Sequence, residues 1–374
     1  MPAQLVPLNH EDRNLGLDVL RAFAAFWVVV IHGDDLLRPT FPSLPYPVLF
    51  DPVDLFFTLS GFLIGRIIVR ELVDARPRDV VAALRRFWVR RWLRTVPAYF
   101  ATTGLTGLFH LTFPDVQTGF NWRYLVFMQN LWTPHPWFMG NAWSLTIEEF
   151  FYVVFPLVVT ILCGWLNRRR LAYVLSAVVL IELGLVVRWY FATVHDSMVP
   201  TVIDALCRKF LPTRLDAIAY GALGALVAVA RPDWWKALAL PGALAAAGVY
   251  AAMGRIPAVP TVYWVVSPAA MPVATLFALP ALMRLRWLPR WCAAAVRYWS
   301  RISYSIYLVH YPLAYCYIYY VVRPQGRAMV LAWYVAYWAV SLVLASLLHH
   351  LVERPGLLLR ETLDADVAVR RRPA

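Results

Sequence analysis

The sequence predicts an all-α, polytopic membrane protein of about ten transmembrane helices, with both termini cytoplasmic. Three observations predict it. Of 374 residues, 61% are hydrophobic and only 15% are charged, against about 25% charged in an average soluble domain. The mean hydropathy is +0.58, which excludes a disordered chain and an ordinary soluble enzyme. The apolar residues come in runs of about the 20 residues that a helix needs to cross a bilayer, with proline and glycine in the gaps.

Ten such runs cover 15–34, 52–70, 93–112, 142–166, 171–193, 210–230, 236–253, 260–283, 300–322 and 328–351. A short apolar stretch at 124–132 is too brief to span and is expected to lie along the interface. The organisation is then a cytoplasmic N-terminus over 1–14, a transmembrane domain over 15–352 and a basic cytoplasmic tail over 353–374.

Charge supports this orientation. With the N-terminus inside, most of the 35 Lys and Arg residues fall in segments placed inside, as the positive-inside rule requires. That accounts for most of the formal net charge of +13 and leaves no need for a nucleic-acid partner. Only Lys209 and Lys236 are lysines. The other cations are arginines, whose planar fork suits phosphate and carboxylate. Cys163, Cys207, Cys292 and Cys316 lie in unrelated segments, so neither a disulfide framework nor a metal site is expected. No small-residue cleavage site follows the first apolar run, so no cleavable signal peptide is expected.

The first span carries Asp18, Arg21 and His32. Arg21 and His32 are eleven positions apart, about three full turns, so both share one helix face about 16 Å apart. Asp18 lies one turn before Arg21, where it can pair with it. An ionisable stripe in a membrane helix faces protein or water rather than lipid. It reads either as a functional site or as an ion-paired core with an interfacial histidine.

The second span opens with Asp51-Pro52-Val53-Asp54. Asp54 reads as an N-cap or as a site residue on the same outer side as His32. Before the third span stand Arg85, Arg86, Arg90, Arg91 and Arg94, with Trp88 and Trp92 between them. Arg86, Arg90 and Arg94 repeat at i, i+4 and share a face. The cluster reads as a positive-inside anchor or as a seat for a polyanion, since guanidinium forks bind phosphate in pairs of hydrogen bonds.

The fourth span begins Trp143-Ser144-Leu145-Thr146-Ile147-Glu148-Glu149. Thr146 and Glu149 fit a capping box. Glu148 projects about 100° away from Glu149, and the topology puts it at the depth of His32, where a carboxylate can orient an imidazole and raise its basicity. The ninth span contains Ser303-Tyr304-Ser305-Ile306-Tyr307-Leu308-Val309-His310. Tyr304, Tyr307 and His310 could bind a polar ligand or join helices to one another. His349, His350 and Glu353 read as the inner end of the last span. His10, His110, His135 and His195 read as loop or helix-end residues.

Taken in order, these segments resemble the acyltransferase 3 family of integral membrane acyltransferases over roughly 14–356. The residues that carry the resemblance are the Leu17–Arg21 start with its spacing to His32, and the Val53-Asp54-Leu55-Phe56-Phe57 and Ser60-Gly61-Phe62-Leu63 runs. Arg90-Arg91, Arg94, Pro97 and Tyr99 follow, then Trp143-Ser144-Leu145, Glu148 and Phe151-Tyr152. Ser303-Tyr304, Tyr307-Leu308, His310, Glu353 and Pro355 complete the set.

The resemblance implies a ten-helix enzyme that moves an acyl group, usually acetyl, from a coenzyme A thioester to a hydroxyl, commonly on a sugar. It implies that His32 is the catalytic histidine, with Arg21 its partner and Glu148 the recurrent glutamate. It implies that Arg90, Arg91 and Arg94 hold the acyl-CoA donor; Arg86 joins them by position. Asp54 or Glu148 is expected to orient His32, and Tyr304, Tyr307 and His310 to contact the acceptor. The expected partners are acyl-CoA, a carbohydrate or glycolipid acceptor and the lipid bilayer of the inner (plasma) membrane. Some members carry a fused extracytoplasmic hydrolase-like domain. This chain ends at residue 374 without one, so a relay to a second acceptor is expected to need another protein.

Two other functions fit the same residues. An acyltransferase acting on a small product such as a macrolide or glycolipid would share the chemistry. A glycolipid transporter or flippase would use the ionisable stripe to pass polar groups, but the internal symmetry common in transporters is absent from the sequence.

Overall fold

The computed structural model describes residues 14–44, 51–75, 79–114, 116, 119–132, 135, 137–194, 200–253 and 260–370. Most of the sequence-read N-terminal segment lies outside these residues, as do His10, His195 and the last four residues of the tail. Every regular element among the described residues is helical.

The helices are α1 (Leu15–Leu37), α2 (Pro52–Ile68), α3 (Val80–Thr112), α4 (Trp143–Trp165), α5 (Arg169–Val194) and α6 (Pro200–Cys207). They continue with α7 (Leu215–Ala230), α8 (Pro232–Ala237), α9 (Ala239–Met253), α10 (Pro260–Leu282), α11 (Arg290–Val309), α12 (Arg327–Leu348) and α13 (Arg354–Arg370). α2, α11 and α12 each run on into wider π-type turns. Seven helical segments among the described residues are long and apolar enough to cross a membrane. Helices also stand at the three remaining sequence-read spans. Of these, α9 has only 15 residues, and α3 and α11 carry several arginines.

The chain starts are fixed by caps. Asn14 accepts from the Leu17 amide at the head of α1. Asp51 accepts from the Val53 amide at the head of α2, with Pro52 in the first turn. Asp51 is therefore the cap of α2, and Asp54 lies inside the helix. α4 begins at Trp143, with no side-chain cap. Thr146 is consequently already within the helix, and its hydroxyl has no hydrogen-bond partner among the described residues. The capping box expected at Thr146 and Glu149 does not form.

The helices close around α2. α2 and α7 touch backbone to backbone: a Cβ on Gly61 would lie well inside contact distance of the Ile218 carbonyl, and one on Gly221 inside that of Thr58. Two glycines, one on each helix, permit this approach, the small-residue packing that membrane helices use.

Two buried ion pairs lock the same bundle. Arg188 of α5 makes a two-pronged pair with Asp216 of α7, both without solvent exposure. Arg214, just before α7, pairs with Asp54 of α2, and it also donates to the Pro268 carbonyl of α10 at 3.0 Å. That carbonyl lacks its usual helical partner because residue 272, four positions on, is a proline with no N–H. The guanidinium therefore satisfies a carboxylate and an orphaned carbonyl together.

The arginine cluster is not in a loop. α3 is one continuous 33-residue helix, about 50 Å long. Arg90, Arg91 and Arg94 stand on its body, a third of the way along. The 124–132 stretch forms a 3₁₀ turn over Trp122–Val126 with Trp122, Leu125, Val126 and Trp132 exposed. The sequence-read basic tail is helical over Arg354–Arg370, as α13.

Candidate active site

One cavity of about 340 Å³ runs between α2, α3, α4 and α11. Its α2 wall extends from Val53 to Glu71, about 27 Å at the helical rise, most of the roughly 30 Å depth of a hydrocarbon core. Phe56, Leu63, Ile64 and Ile67 make its middle apolar. Arg21, Arg90, Arg91, Arg94 and Arg360 join Glu71 and Glu148 in its lining. Ser144 and Tyr307 stand toward the end where α2 and α4 begin.

Several sequence-read residues meet here. Arg21 pairs with Asp18 at 3.4 Å, as the spacing predicts. Ser300 of α11 bonds both of them, which fixes the first half of α1 to α11. Arg90 pairs with Glu71 at 3.4 Å near the surface.

Arg91 is more deeply set. It donates to the Tyr152 hydroxyl at 2.6 Å, stacks over the Tyr152 ring at 4.1 Å and reaches Glu148 at 3.7 Å. Tyr152 also bonds Ser60 across the cavity wall. Arg94 has no ion-pair partner within 4 Å among the described residues, and the nearby charges that act on it are mostly other arginines. Arg86 does not line the cavity.

His32 lies beyond the Tyr307 end. The Tyr307 ring is 5.9 Å from the His310 ring, which is 5.0 Å from the His32 ring. His310 Nδ1 faces the Ile306 carbonyl at 2.8 Å, and His32 Nδ1 faces the Val28 carbonyl at 3.0 Å. A carbonyl only accepts, so each Nδ1 carries a proton. His310 Nε2 is then an acceptor, and it lies 3.1 Å from His32 Nδ1. The His32 Nδ1 proton is shared between Val28 and His310, and this leaves the lone pair on His32 Nε2. The tautomer follows from the hydrogen-bond network.

The partner that orients His32 is thus His310. The expected partners are engaged elsewhere: Glu148 with Arg91, and Asp54 with Arg214. Asp54 does not line the cavity.

The three side chains expected to meet an acceptor have their protons committed. Tyr304 donates to the Thr95 carbonyl at 2.9 Å. Tyr307 donates to the Asn141 carbonyl at 2.6 Å and accepts from Ser144 at 2.5 Å. His310 is fully buried, with both nitrogens engaged. Tyr304 and Tyr307 line the cavity while joining α11 to α3 and to the start of α4. Glu149 is buried and accepts from Thr95 at 3.0 Å.

Sequence reasoning missed Ser60, Glu71 and Arg360 as lining residues. It also missed Tyr152 as the support of Arg91. Ser60 and Tyr152 left a signal, in the Ser60-Gly61-Phe62-Leu63 and Phe151-Tyr152 runs; Glu71 and Arg360 left none.

The chain is thus a helical membrane protein with a basic, apolar-walled cleft and a histidine pair beyond one end of it. The family model described as "Acyltransferase domain" (acyltransferase 3) matches residues 14–350. The chain belongs to that family, and the match ends before α13. It is similar to the O-acetyltransferase OatA of Staphylococcus aureus, 31% identical over 228 residues, covering 57% of this chain and 34% of the relative. It is also similar to the "Putative peptidoglycan O-acetyltransferase YrhL" of Bacillus subtilis, 34% identical over 190 residues, covering 46% of this chain and 28% of the relative. The chain spans about a third of the length of these relatives. No solved structure matches it.

Proposed function

We propose that the protein is a membrane O-acetyltransferase of the inner (plasma) membrane. It takes an acetyl or related acyl group from a coenzyme A thioester and places it on a sugar hydroxyl of a cell-surface or lipid-linked glycan. The observation that carries this reading is a single cavity with arginines along one stretch and the His32–His310 pair one ring beyond its other end.

The chemistry follows from that arrangement. The arginines attract the phosphates of the donor. The pantetheine arm, long and weakly polar, suits the apolar middle of the cleft and carries the thioester toward His32. His32 Nε2 takes the proton of the acceptor hydroxyl while its oxygen attacks the thioester carbonyl. The carbon–sulfur bond breaks, and the imidazolium returns the proton to the departing thiolate. General-base assistance of this kind contributes about 10²–10⁴-fold. The same lone pair can instead take the acyl group itself and pass it on; both routes need Nε2 free.

The name of YrhL mentions peptidoglycan, and a polysaccharide acceptor fits an acceptor entering from the His32 side. The test is coenzyme A release from acetyl-CoA by purified protein in detergent, beside His32→Ala. Release that depends on His32 supports the reading. Equal release from both proteins, or none from either even with glycan acceptor present, overturns it.

A further inference from the structure

We propose that the C-terminal helix α13 is a wall of the donor site and that Arg360 on it binds a donor phosphate. The inference rests on the acyl-CoA reading of the cavity and adds to it a residue beyond the end of the family match.

Four observations carry it. The first is position: Arg360 lines the same cavity as Arg21, Arg90, Arg91 and Arg94.

The second is how α13 is seated. Gly356 lies so close to α3 that a Cβ there would stand well inside contact distance of the Leu93 carbonyl oxygen and 3.6 Å from the Pro97 ring. Pro97 explains the approach. The Leu93 carbonyl would normally bond the N–H of residue 97, but proline has none. The exposed carbonyl instead meets the Gly356 backbone, a contact that only a residue without a side chain allows. Arg360 is four residues beyond Gly356, on the same face of α13. Leu93 is next to Arg94. The docking contact therefore sets Arg360 beside the arginines of α3.

The third is the anchor before the helix. Glu353, buried at the end of α12, accepts from Ser305 of α11 at 2.8 Å and bonds His349 at 2.9 Å. This ties the first residues of α13 to the bundle, so the helix is fixed at both its start and its first turn.

The fourth is charge. Five guanidinium groups and two carboxylates line the cavity. Arg21, Arg91 and Arg360 all lie near enough to Arg94 to repel it, with Glu353 opposing them. Arg21, Arg90 and Arg91 have carboxylate partners, whereas Arg94 has no ion pair within 4 Å among the described residues, so the like charge around it favours a bound anion. A diphosphate with a further phosphate ester, as in coenzyme A, supplies several acceptor oxygens at once.

The experiment titrates coenzyme A, then inorganic pyrophosphate, into the full-length protein in detergent. The proteins compared are wild type, Arg360→Ala, Arg360→Lys, Gly356→Leu, Arg91→Ala and Arg354→Ala. Arg354 is exposed on the same helix and serves as the charge control. The expected result is about a tenfold or greater rise in the Kd for coenzyme A in Arg360→Ala. Arg360→Lys should fall between, and Arg354→Ala should match wild type. Gly356→Leu should behave as Arg360→Ala, because it lifts α13 off α3.

Wild-type affinity in Arg360→Ala, with Arg91→Ala impaired, overturns the proposal while leaving the donor reading intact. If wild type binds no coenzyme A, the donor reading fails by itself. Pyrophosphate binding that weakens in Arg360→Ala then still supports Arg360 as a phosphate ligand, and pyrophosphate binding that is absent or independent of Arg360 overturns it.

Discussion

His32 Nδ1 and His310 Nε2 lie 3.1 Å apart, although the two residues are 278 positions apart in the chain. Each imidazole also faces the carbonyl of the preceding helical turn, and these two carbonyls decide where the protons sit. On the proposed reaction His310 acts through His32, as a positioning residue. Its removal should lower kcat about 10- to 100-fold and leave the donor KM near its wild-type value. His310→Gln can offer an amide oxygen close to the position of Nε2, so it should recover part of the loss, whereas His310→Ala should not. Equal activity in all three proteins would mean that His32 needs no partner.

His32 itself should be far less replaceable. His32→Ala should lose about 10²–10⁴-fold in transfer, with coenzyme A affinity unchanged because the arginines lie on the other side of Tyr307. His32→Gln should be as inactive as His32→Ala, since an amide neither accepts a proton nor carries an acyl group. A parallel loss of donor affinity would move His32 from chemistry to binding.

Tyr152 offers a different prediction. Its hydroxyl accepts from Arg91 at 2.6 Å and its ring lies under the same guanidinium. Tyr152→Phe keeps the stacking and deletes the hydrogen bond. The donor KM should rise several-fold with kcat little changed, a smaller effect than Arg91→Ala. Tyr152→Leu removes both contacts and should approach Arg91→Ala. A fall in kcat alone in Tyr152→Phe would show that the hydroxyl serves the reaction rather than Arg91.

Much of this site was legible along single helices. The eleven-residue spacing put Arg21 and His32 on one face, and the i+3 spacing paired Asp18 with Arg21. Arg90, Arg91 and Arg94 were legible as a cluster. What was not legible was which helix faces which. Asp54 and Glu148 were both read as partners of His32, because an intramembrane charge announces that it needs a partner but not where that partner lies in the chain. Arg214, the actual partner of Asp54, lies 160 residues away in the chain. His310 looked like an acceptor contact for the same reason. The capping box failed on a local detail: α4 starts at Trp143, three residues before Thr146.

The Asp54–Arg214 pair gives the sharpest separation of structure from chemistry. Both side chains are almost fully buried, and Arg214 also holds the Pro268 carbonyl. Removing one member leaves the other as an uncompensated charge, which costs about 3–5 kcal/mol in buried pairs. Asp54→Ala and Arg214→Ala should therefore each lower the thermal midpoint in detergent sharply. A double replacement by apolar residues, Asp54→Leu with Arg214→Met, removes both charges together and should be more stable than either single alanine variant. It should still fall short of wild type, because the Pro268 carbonyl loses its donor. If Asp54 only supports the bundle, the folded fraction of the double variant should retain His32-dependent coenzyme A release. If that fraction is inactive while coenzyme A still binds, Asp54 belongs to the reaction, and the assignment of His310 rather than Asp54 to support His32 is wrong.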